Sequence, residues 1–291
     1  MKIIGLDECV LSALQLFIAE GIPELHLGSY DRPLVVGSGN AAATGRIIME
    51  GSDAVFADEG TYRDNLDIVD GAILISASGA KHAPIIAKEL KRLKIETRLL
   101  TCNTDAPAKT LVHETFVFPK QAEPYTYNTS TYMSMILGKT KEDPAAILEF
   151  IKKEVVPLIP KDFASYSAFY LIVPSRFDAM REMLLTKFDE LFGSVVNGRV
   201  FTVDQTKHAK TVVPNDKELF ISFGDSNSQF GKHRLDIPLP ADASYAALMA
   251  IGYFVIGNIQ KQHPPYFTDN IEEYVKRASE MFGSEIKAIV E

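Results

Sequence analysis

The sequence is poor in cysteine, has no excess of positive charge and lacks an apolar run long enough to cross a membrane. Its two cysteines, Cys9 and Cys102, do not stand in a CxxC or other metal-ligand spacing, so they indicate reduced thiols and not a disulfide framework. The most apolar late segment, Tyr245–Ile259, is shorter than the roughly 20 residues that span a bilayer. The N-terminal segment carries acids where a signal peptide needs a basic flank. These absences predict a cytoplasmic protein that has no membrane partner.

The charge balance also argues against nucleic acid as a partner. The formal net charge of −8 at pH 7 repels a phosphate backbone. The apolar fraction of 46% and the charged fraction of 23% are typical of globular proteins, and 291 residues suffice for two domains. A small anionic ligand remains compatible with this charge, because local backbone dipoles bind an anion against the global field.

Short apolar runs alternate with amphipathic stretches along the first half of the chain. This pattern predicts strands at Pro33–Gly37, Asp53–Ala57, Gly71–Ser76, Glu96–Thr101 and Thr115–Phe118, and helices at Ala41–Glu50 and Ala83–Leu93. Strands that are apolar throughout and separated by helices indicate a parallel sheet that is covered on both faces.

The same pattern restarts after Val155–Pro160, which we interpret as a hinge. It predicts strands at Phe169–Val173 and Glu218–Phe223 and helices at Arg176–Phe192, Ala243–Gln260 and Asn270–Phe282. The likeness of LVVGSGN to LIVPSRF, and of AILISASG to LFISFGDS, suggests a diverged duplication. The sequence therefore predicts an α/β fold of two tandem doubly wound (flavodoxin-like) parallel sheets flanked by helices, with domains at residues 1–160 and 161–291.

Two turns after predicted strands have an unusual composition: GSGNAAATG at residues 37–45 and SASGAKH at residues 76–82. Glycine lets the backbone approach an anion, N–H groups at a helix start donate to it, and serine hydroxyls add further donors. Because the carboxyl ends of parallel strands share one edge of a sheet, we predict an anion site where the two turns meet. The alternative is that the small residues only allow tight packing between strand and helix.

The first turn also fits a dinucleotide-binding fingerprint. Gly37, Gly39 and Ala42 satisfy the pattern G-x-G-x-x-A, and Asp58 stands near the end of the second strand, where a ribose-binding acid is expected. A dinucleotide does not need the serine-rich turn after the third strand. An NAD-dependent oxidoreductase nevertheless stays open as an alternative.

Three motifs together resemble those of the sugar isomerase (SIS) domain: LVVGSGN at 34–40, ILISASG at 73–79, and Glu123 followed by YNTST at 127–131. The resemblance extends more weakly over a second such domain, from Ser165 to the end. This arrangement is similar to the isomerase part of glucosamine-6-phosphate synthase, archaeal phosphoglucose/phosphomannose isomerases and fructosamine deglycases. It implies a homodimer that binds a phosphosugar between subunits and needs no metal or other cofactor.

Carried over by position, the resemblance implies that the phosphate is bound by Ser38, Gly39, Asn40, Ser76, Ser78, Lys81, Thr129 and Ser130, with Glu123 and Lys207 as further substrate contacts. The chain departs from the family pattern in both turns. Asn40 followed by Ala41 stands where the family has Thr or Ser, and Ala80 and Lys81 replace an acid and a threonine. A lysine replaces a hydroxyl as a phosphate partner through its charge, and His82 is a further candidate for this role.

Aldose–ketose isomerisation moves a proton between C1 and C2 through an enediol, so it needs a carboxylate base and a group that assists ring opening. The resemblance implies Glu190 as the base, with Asp189 as the alternative acid. It implies that His208 assists ring opening and that Lys276 helps from the C-terminal segment. The interval from Glu190 to His208 is longer than in the family, and a small loop insertion at Val195–Arg199 would absorb the difference.

The leading hypothesis is an aldose–ketose isomerase of a hexose 6-phosphate, or a deglycase of a phosphorylated fructosamine, acting through an enediol-type intermediate. The alternative is a non-catalytic sensor that binds a phosphosugar and regulates a partner, and the NAD-dependent oxidoreductase is the second alternative. The sequence does not predict which sugar is bound.

Overall fold

The computed structural model describes residues 3–283 and 285–290 and divides into two compact units. One, which we call the five-strand unit, comprises Ala19–Lys120 and Thr131–Lys141. The other, the four-strand unit, comprises Met1–Ile18, Gln121–Ser130 and Glu142–Glu291. The boundary after residue 160 stays a prediction.

The described residues form eleven strands: β1 (Pro33–Val36), β2 (Val55–Ala57), β3 (Gly71–Ile75), β4 (Thr97–Thr101), β5 (Glu114–Val117), β6 (Glu123–Pro124), β7 (Ala168–Val173), β8 (Asn197–Thr202), β9 (Glu218–Phe223), β10 (His233–Ile237) and β11 (Ile289–Val290). The same residues form nine α-helices: α1 (Leu6–Glu20), α2 (Asn40–Ile48), α3 (His82–Arg92), α4 (Thr129–Thr140), α5 (Pro144–Phe150), α6 (Arg181–Phe192), α7 (Val203–Thr206), α8 (Tyr245–Gln262) and α9 (Tyr266–Phe282).

The sheet of the five-strand unit is parallel throughout, in the order β2-β1-β3-β4-β5. This is the flavodoxin-like order that the alternation of strands and helices predicts. The aliphatic side chains of β1, β3 and β4, such as Leu34, Leu74 and Leu99, are buried in one core with Ile86 and Leu90 of α3. That core fixes where each strand ends, and therefore where the following turns lie.

The main sheet of the four-strand unit is also parallel, in the order β10-β9-β7-β8. In chain order, the first strand of each unit's sheet lies between the next two: β1 lies between β2 and β3, and β7 lies between β8 and β9. The two sheets therefore repeat one winding pattern. This matches the pairing of β1 with β7 and of β3 with β9 that the sequence likeness suggests. A short antiparallel pair joins β6 to β11. The α/β fold of two doubly wound parallel sheets is confirmed.

The segment between Glu190 and His208 differs from the sequence expectation. Residues 197–202 form strand β8, paired along its whole length with β7. Residues 197–199 of the segment Val195–Arg199, where we expected a loop insertion, therefore belong to the sheet. The predicted helix Arg176–Phe192 is also divided, into a 3₁₀ segment at Ser175–Met180 and α6.

The most apolar helix, α8, is buried along most of its length. None of the helices that the structure describes combines the length and the hydrophobicity of a membrane span. In the same described part, no three His, Cys, Asp or Glu side chains are grouped closely enough to hold a metal ion.

Candidate functional site

The two glycine- and serine-rich turns lie side by side at the carboxyl edge of the five-strand sheet. The register pairs Val36 of β1 with Leu74 of β3. Continued by two residues, this register brings Ser38 next to Ser76 at the point where both strands have ended. In parallel sheets this edge is where ligands bind.

The first turn presents backbone donors to solvent. Gly37 is fixed to the neighbouring strand by its N–H, which donates to the Ala57 carbonyl at 3.2 Å. Gly39 precedes α2 with a φ of 54°, and both Ser38 and Gly39 are exposed. The amides of Ser38, Gly39 and Asn40 donate to no acceptor among the described residues. The Ser38 hydroxyl, however, donates to the carboxylate of Glu59.

The second turn presents hydroxyl protons. The Ser76 oxygen accepts from the Gly79 amide at 3.2 Å, and the Ser78 oxygen accepts from the Ala80 amide at 3.3 Å. Because each oxygen is used as an acceptor, its O–H proton stays available to donate. Lys81, the residue before α3, has a φ of 52° and a ψ of −108°, a conformation that a residue with a Cβ atom rarely adopts.

Neither α2 nor α3 is capped by the side chain of its N-cap residue. Unpaired N–H groups at a helix start carry a partial positive charge that favours an anion. Such groups stand before α2, and the turn before α3, after the adjacent strand, adds the hydroxyls of Ser76 and Ser78. The arrangement is chemically suited to hold a group with several anionic oxygens, such as a phosphoryl group. We call residues 37–40 and 76–82 the cradle.

Thr129 and Ser130 are placed differently from the sequence expectation. Both are fully buried at the start of α4, where the carboxylate of Glu123 accepts their amides at 2.9 and 3.2 Å. The Ser130 hydroxyl also donates to Glu123 at 3.0 Å. Glu123 is itself only 2% exposed. As placed, the Glu123 carboxylate caps the start of α4, and all three residues are buried.

The thiol of Cys9 belongs to the same buried cluster. Its sulfur lies 3.2 Å from a Glu123 carboxylate oxygen and 3.1 Å from the Gln121 side-chain amide. Burial first, and then the charge of Glu123, raise the pKa of Cys9 well above its usual value. A thiol that stays protonated is not a nucleophile, so the cluster is structural.

Glu190 lies near the end of α6 beside a fully buried ammonium group. Lys187 shares its helix face, as their three-residue spacing predicts, and its Nζ atom donates to Glu190 at 2.5 Å and to the Thr126 carbonyl at 2.7 Å. Burial raises the pKa of Glu190, and the charge of Lys187 opposes this shift. The Glu190 side chain is 22% exposed. A partly desolvated, oriented carboxylate of raised pKa is suited to accept a proton from carbon.

Tyr125 is a neighbour of this carboxylate that the sequence did not single out. Burial raises the pKa of its hydroxyl, and the charge of Glu190 adds to the effect. Its ring lies 6.4 Å from that of Tyr274 in α9. The sequence signal was weak, since Tyr125 differs from other aromatic residues only in being close to the YNTST motif.

The other predicted catalytic residues are exposed. Asp189 points to solvent, unlike Glu190. Lys207 and His208 lie in an exposed segment after α7, where the Lys207 ammonium donates to Asp204 at 2.9 Å. Lys276 is exposed on α9 and makes no hydrogen bond or ion pair with the described residues.

Glu190 lies at the amino ends of the strands of the main sheet of the four-strand unit, and His208 lies at their carboxyl ends. Helix α6 runs from the carboxyl end of β7 back to the amino end of β8, and His208 follows the carboxyl end of β8. The six residues of β8 extend for about 20 Å. The two side chains are therefore not brought together within one chain.

Neither a family model nor a curated relative matches this sequence. Solved structures do match, over nearly the whole chain. A Clostridium difficile 630 protein named as a phosphosugar isomerase superposes with a TM-score of 0.65 at 11% identity, with 98% of this chain and 99% of that chain covered. For the tagatose-6-phosphate ketose/aldose isomerase of Escherichia coli, the TM-score is 0.58 at 13% identity, with 90% and 89% covered. The chain has the sugar isomerase fold.

A further neighbour with the sugar isomerase fold is the glucosamine-6-phosphate deaminase of Thermotoga maritima, with a TM-score of 0.59 at 14% identity and coverage of 90% and 94%.

The dinucleotide alternative finds no comparable support in the site. One carboxylate oxygen of Asp58 accepts from the amides of Gly60 and Thr61 and from the Thr61 hydroxyl. In this sugar isomerase fold, the acid expected to bind a ribose thus stabilises its own turn.

Proposed function

We propose that the protein is a phosphosugar-binding enzyme of the cytoplasm, either an aldose–ketose isomerase of a hexose 6-phosphate or a deglycase of a phosphorylated fructosamine. The observation that carries this proposal is the cradle, in which two turns follow adjacent parallel strands, the first offering the amides of residues 38–40 and the second the hydroxyls of Ser76 and Ser78. In the proposal, the cradle binds the phosphoryl group and Glu190 removes the proton that the enediol pathway transfers.

The proposal assigns steps to groups of this chain. Glu190 takes the proton from one sugar carbon and returns it to the neighbouring carbon. The buried Lys187 ammonium orients the carboxylate and favours its ionised form. His208 assists ring opening. Because Glu190 and His208 of one chain lie at opposite ends of the strands, we propose that the active form is a homodimer in which His208 comes from the other subunit.

Phosphosugar binding is tested separately from turnover. Fructose 6-phosphate, glucosamine 6-phosphate, mannose 6-phosphate and 6-phosphofructosyl-amines are screened by thermal shift, because a ligand that binds only the folded state raises its stability. Replacing both Ser76 and Ser78 with alanine should weaken binding about tenfold or more, since hydrogen bonds to a charged group are lost. Ser52→Ala, which changes an exposed serine away from the cradle, is the matched control.

Turnover decides between enzyme and sensor. Glu190→Gln keeps the shape of the side chain and removes its basicity, so it should abolish isomerisation and leave thermal stabilisation by the sugar in place. Stabilisation of the unaltered protein without any turnover would favour the sensor. Stabilisation by NAD and by none of the phosphosugars would contradict the proposal.

A further inference from the structure

Glu59 is a carboxylate hydrogen-bonded to the cradle. It follows β2, the neighbour of β1 in the sheet, and accepts the hydroxyl proton of Ser38. The residue before it, Asp58, fixes the turn: its carboxylate accepts from the Gly60 amide at 2.8 Å and from the Thr61 amide at 2.9 Å. The position of Glu59 is therefore set by a built turn.

The carboxylate of Glu59 is ionised near neutral pH. The hydrogen bond from Ser38, followed by that from its own amide, lowers its pKa, and the charge of His82 adds to the shift. His82 is the first residue of α3. Glu59 thus contacts the first turn of the cradle through Ser38.

We propose that Glu59 is a built-in competitor for the phosphoryl group, occupying the Ser38 hydroxyl until a ligand displaces it. The inference rests on the proposed phosphosugar site. A dianion and a carboxylate repel each other at close range and require the same hydroxyl proton. Every phosphoryl ligand must therefore move Glu59 aside, whatever sugar it carries.

Burial distinguishes Glu59 from two carboxylates that accept the first amides of helices. Glu123 is 2% exposed and accepts the first amides of α4, and the half-buried Glu142 accepts the amides of Ala246 and Ala247 in α8. Removing either from its helix would leave buried donors unpaired. Glu59 is exposed, so its side chain can rotate into water at little cost.

Isothermal titration with inorganic phosphate and with fructose 6-phosphate tests the inference. Glu59→Gln removes the charge and keeps the shape, and should lower both dissociation constants by the same factor, roughly tenfold. Asp67→Asn removes one negative charge from an exposed position of the same unit and should change them less than threefold. In a Ser38→Ala background the effect of Glu59→Gln should shrink, because the contested hydroxyl is absent.

The outcomes separate this inference from the function on which it rests. If the unaltered protein and Glu59→Gln bind both ligands with equal affinity, the phosphoryl site stands and the competitor is refuted. If Glu59→Gln weakens fructose 6-phosphate alone, Glu59 contacts the sugar and does not compete with it. If no variant binds either ligand, both the site and the competitor are refuted.

Discussion

Lys81 should be a position at which glycine is more stable than alanine. Its φ of 52° and ψ of −108° place it in a region that is accessible to glycine and strained for a residue with a Cβ atom. Such strain costs about 1–3 kcal/mol, whereas glycine loses about 0.5–1 kcal/mol relative to alanine through its freedom in the unfolded chain. Lys81→Gly should therefore be more stable than Lys81→Ala by about 1 kcal/mol.

Lys88 supplies the matched control, because it is exposed within the same helix, α3. In a regular helix interior, glycine is about 1 kcal/mol less stable than alanine. At each position both variants lack the lysine side chain beyond Cβ. The difference in stability between them therefore reports the backbone conformation of that position. The sign of that difference should invert between Lys81 and Lys88.

Urea unfolding of the four variants measures these differences by linear extrapolation. If the glycine variant were less stable than the alanine variant at both positions, backbone strain at Lys81 would be refuted. Both Lys81 variants also remove an ammonium group from the cradle, so both should weaken fructose 6-phosphate binding to a similar extent in titration calorimetry. The two readouts together separate a residue that is strained for function from one that is merely strained.

Further predictions concern the four-strand unit. Burial raises the pKa of Glu190 above its ordinary 4.5, so the native state binds more protons at this site than the unfolded chain does. The free energy of unfolding should therefore fall as pH rises from 4.5 through the raised pKa. Urea unfolding at several pH values should show this slope, and Glu190→Gln should lack it. If each site takes Glu190 from one subunit and His208 from the other, mixing the inactive Glu190→Gln and His208→Ala proteins should restore about a quarter of the activity of the unaltered protein. No recovery after subunit exchange would refute shared sites. Glu123→Ala should cost about 2–4 kcal/mol, because the amides of Thr129 and Ser130 lose their acceptor. Its affinity for inorganic phosphate should stay unchanged, and a weakened affinity would place Glu123 in the ligand site.

The sequence identified the central strands and missed the edges of the second sheet. The strand Glu218–Phe223 has the same bounds in prediction and structure, because a central parallel strand is buried on both faces and reads as one apolar run. Strands β8 and β10 lie at the two edges, and their sequences, NGRVFT and HRLDI, mix polar with apolar residues. An edge strand has less to bury, so a criterion based on apolar runs does not find it.

The candidate site was predictable to the extent that it depends on strand ends. Ser38 and Ser76 could be brought together from the sequence alone, because adjacent parallel strands carry their turns to the same edge. The use of Thr129 and Ser130 by Glu123 could not, since nothing in the motif shows whether a hydroxyl faces a cleft or a neighbouring carboxylate. Glu59 is a similar case: it follows Asp58 directly, and only the fold shows that its side chain returns to Ser38.

A protein of net charge −8 can bind a phosphoryl group only where local donors outweigh the global field. In this chain, carboxylates have taken such donors at several helix starts. The amides at the starts of α4 and α8 are served by Glu123 and Glu142 and are lost to a ligand. Before α2 and at its first residue, the amides of Ser38, Gly39 and Asn40 donate to no described acceptor, and the Ser38 hydroxyl is held by the exposed Glu59. The buried carboxylates cap their helices, whereas the exposed Glu59 can move, and this difference in burial is why we propose the cradle of the five-strand unit as the anion site.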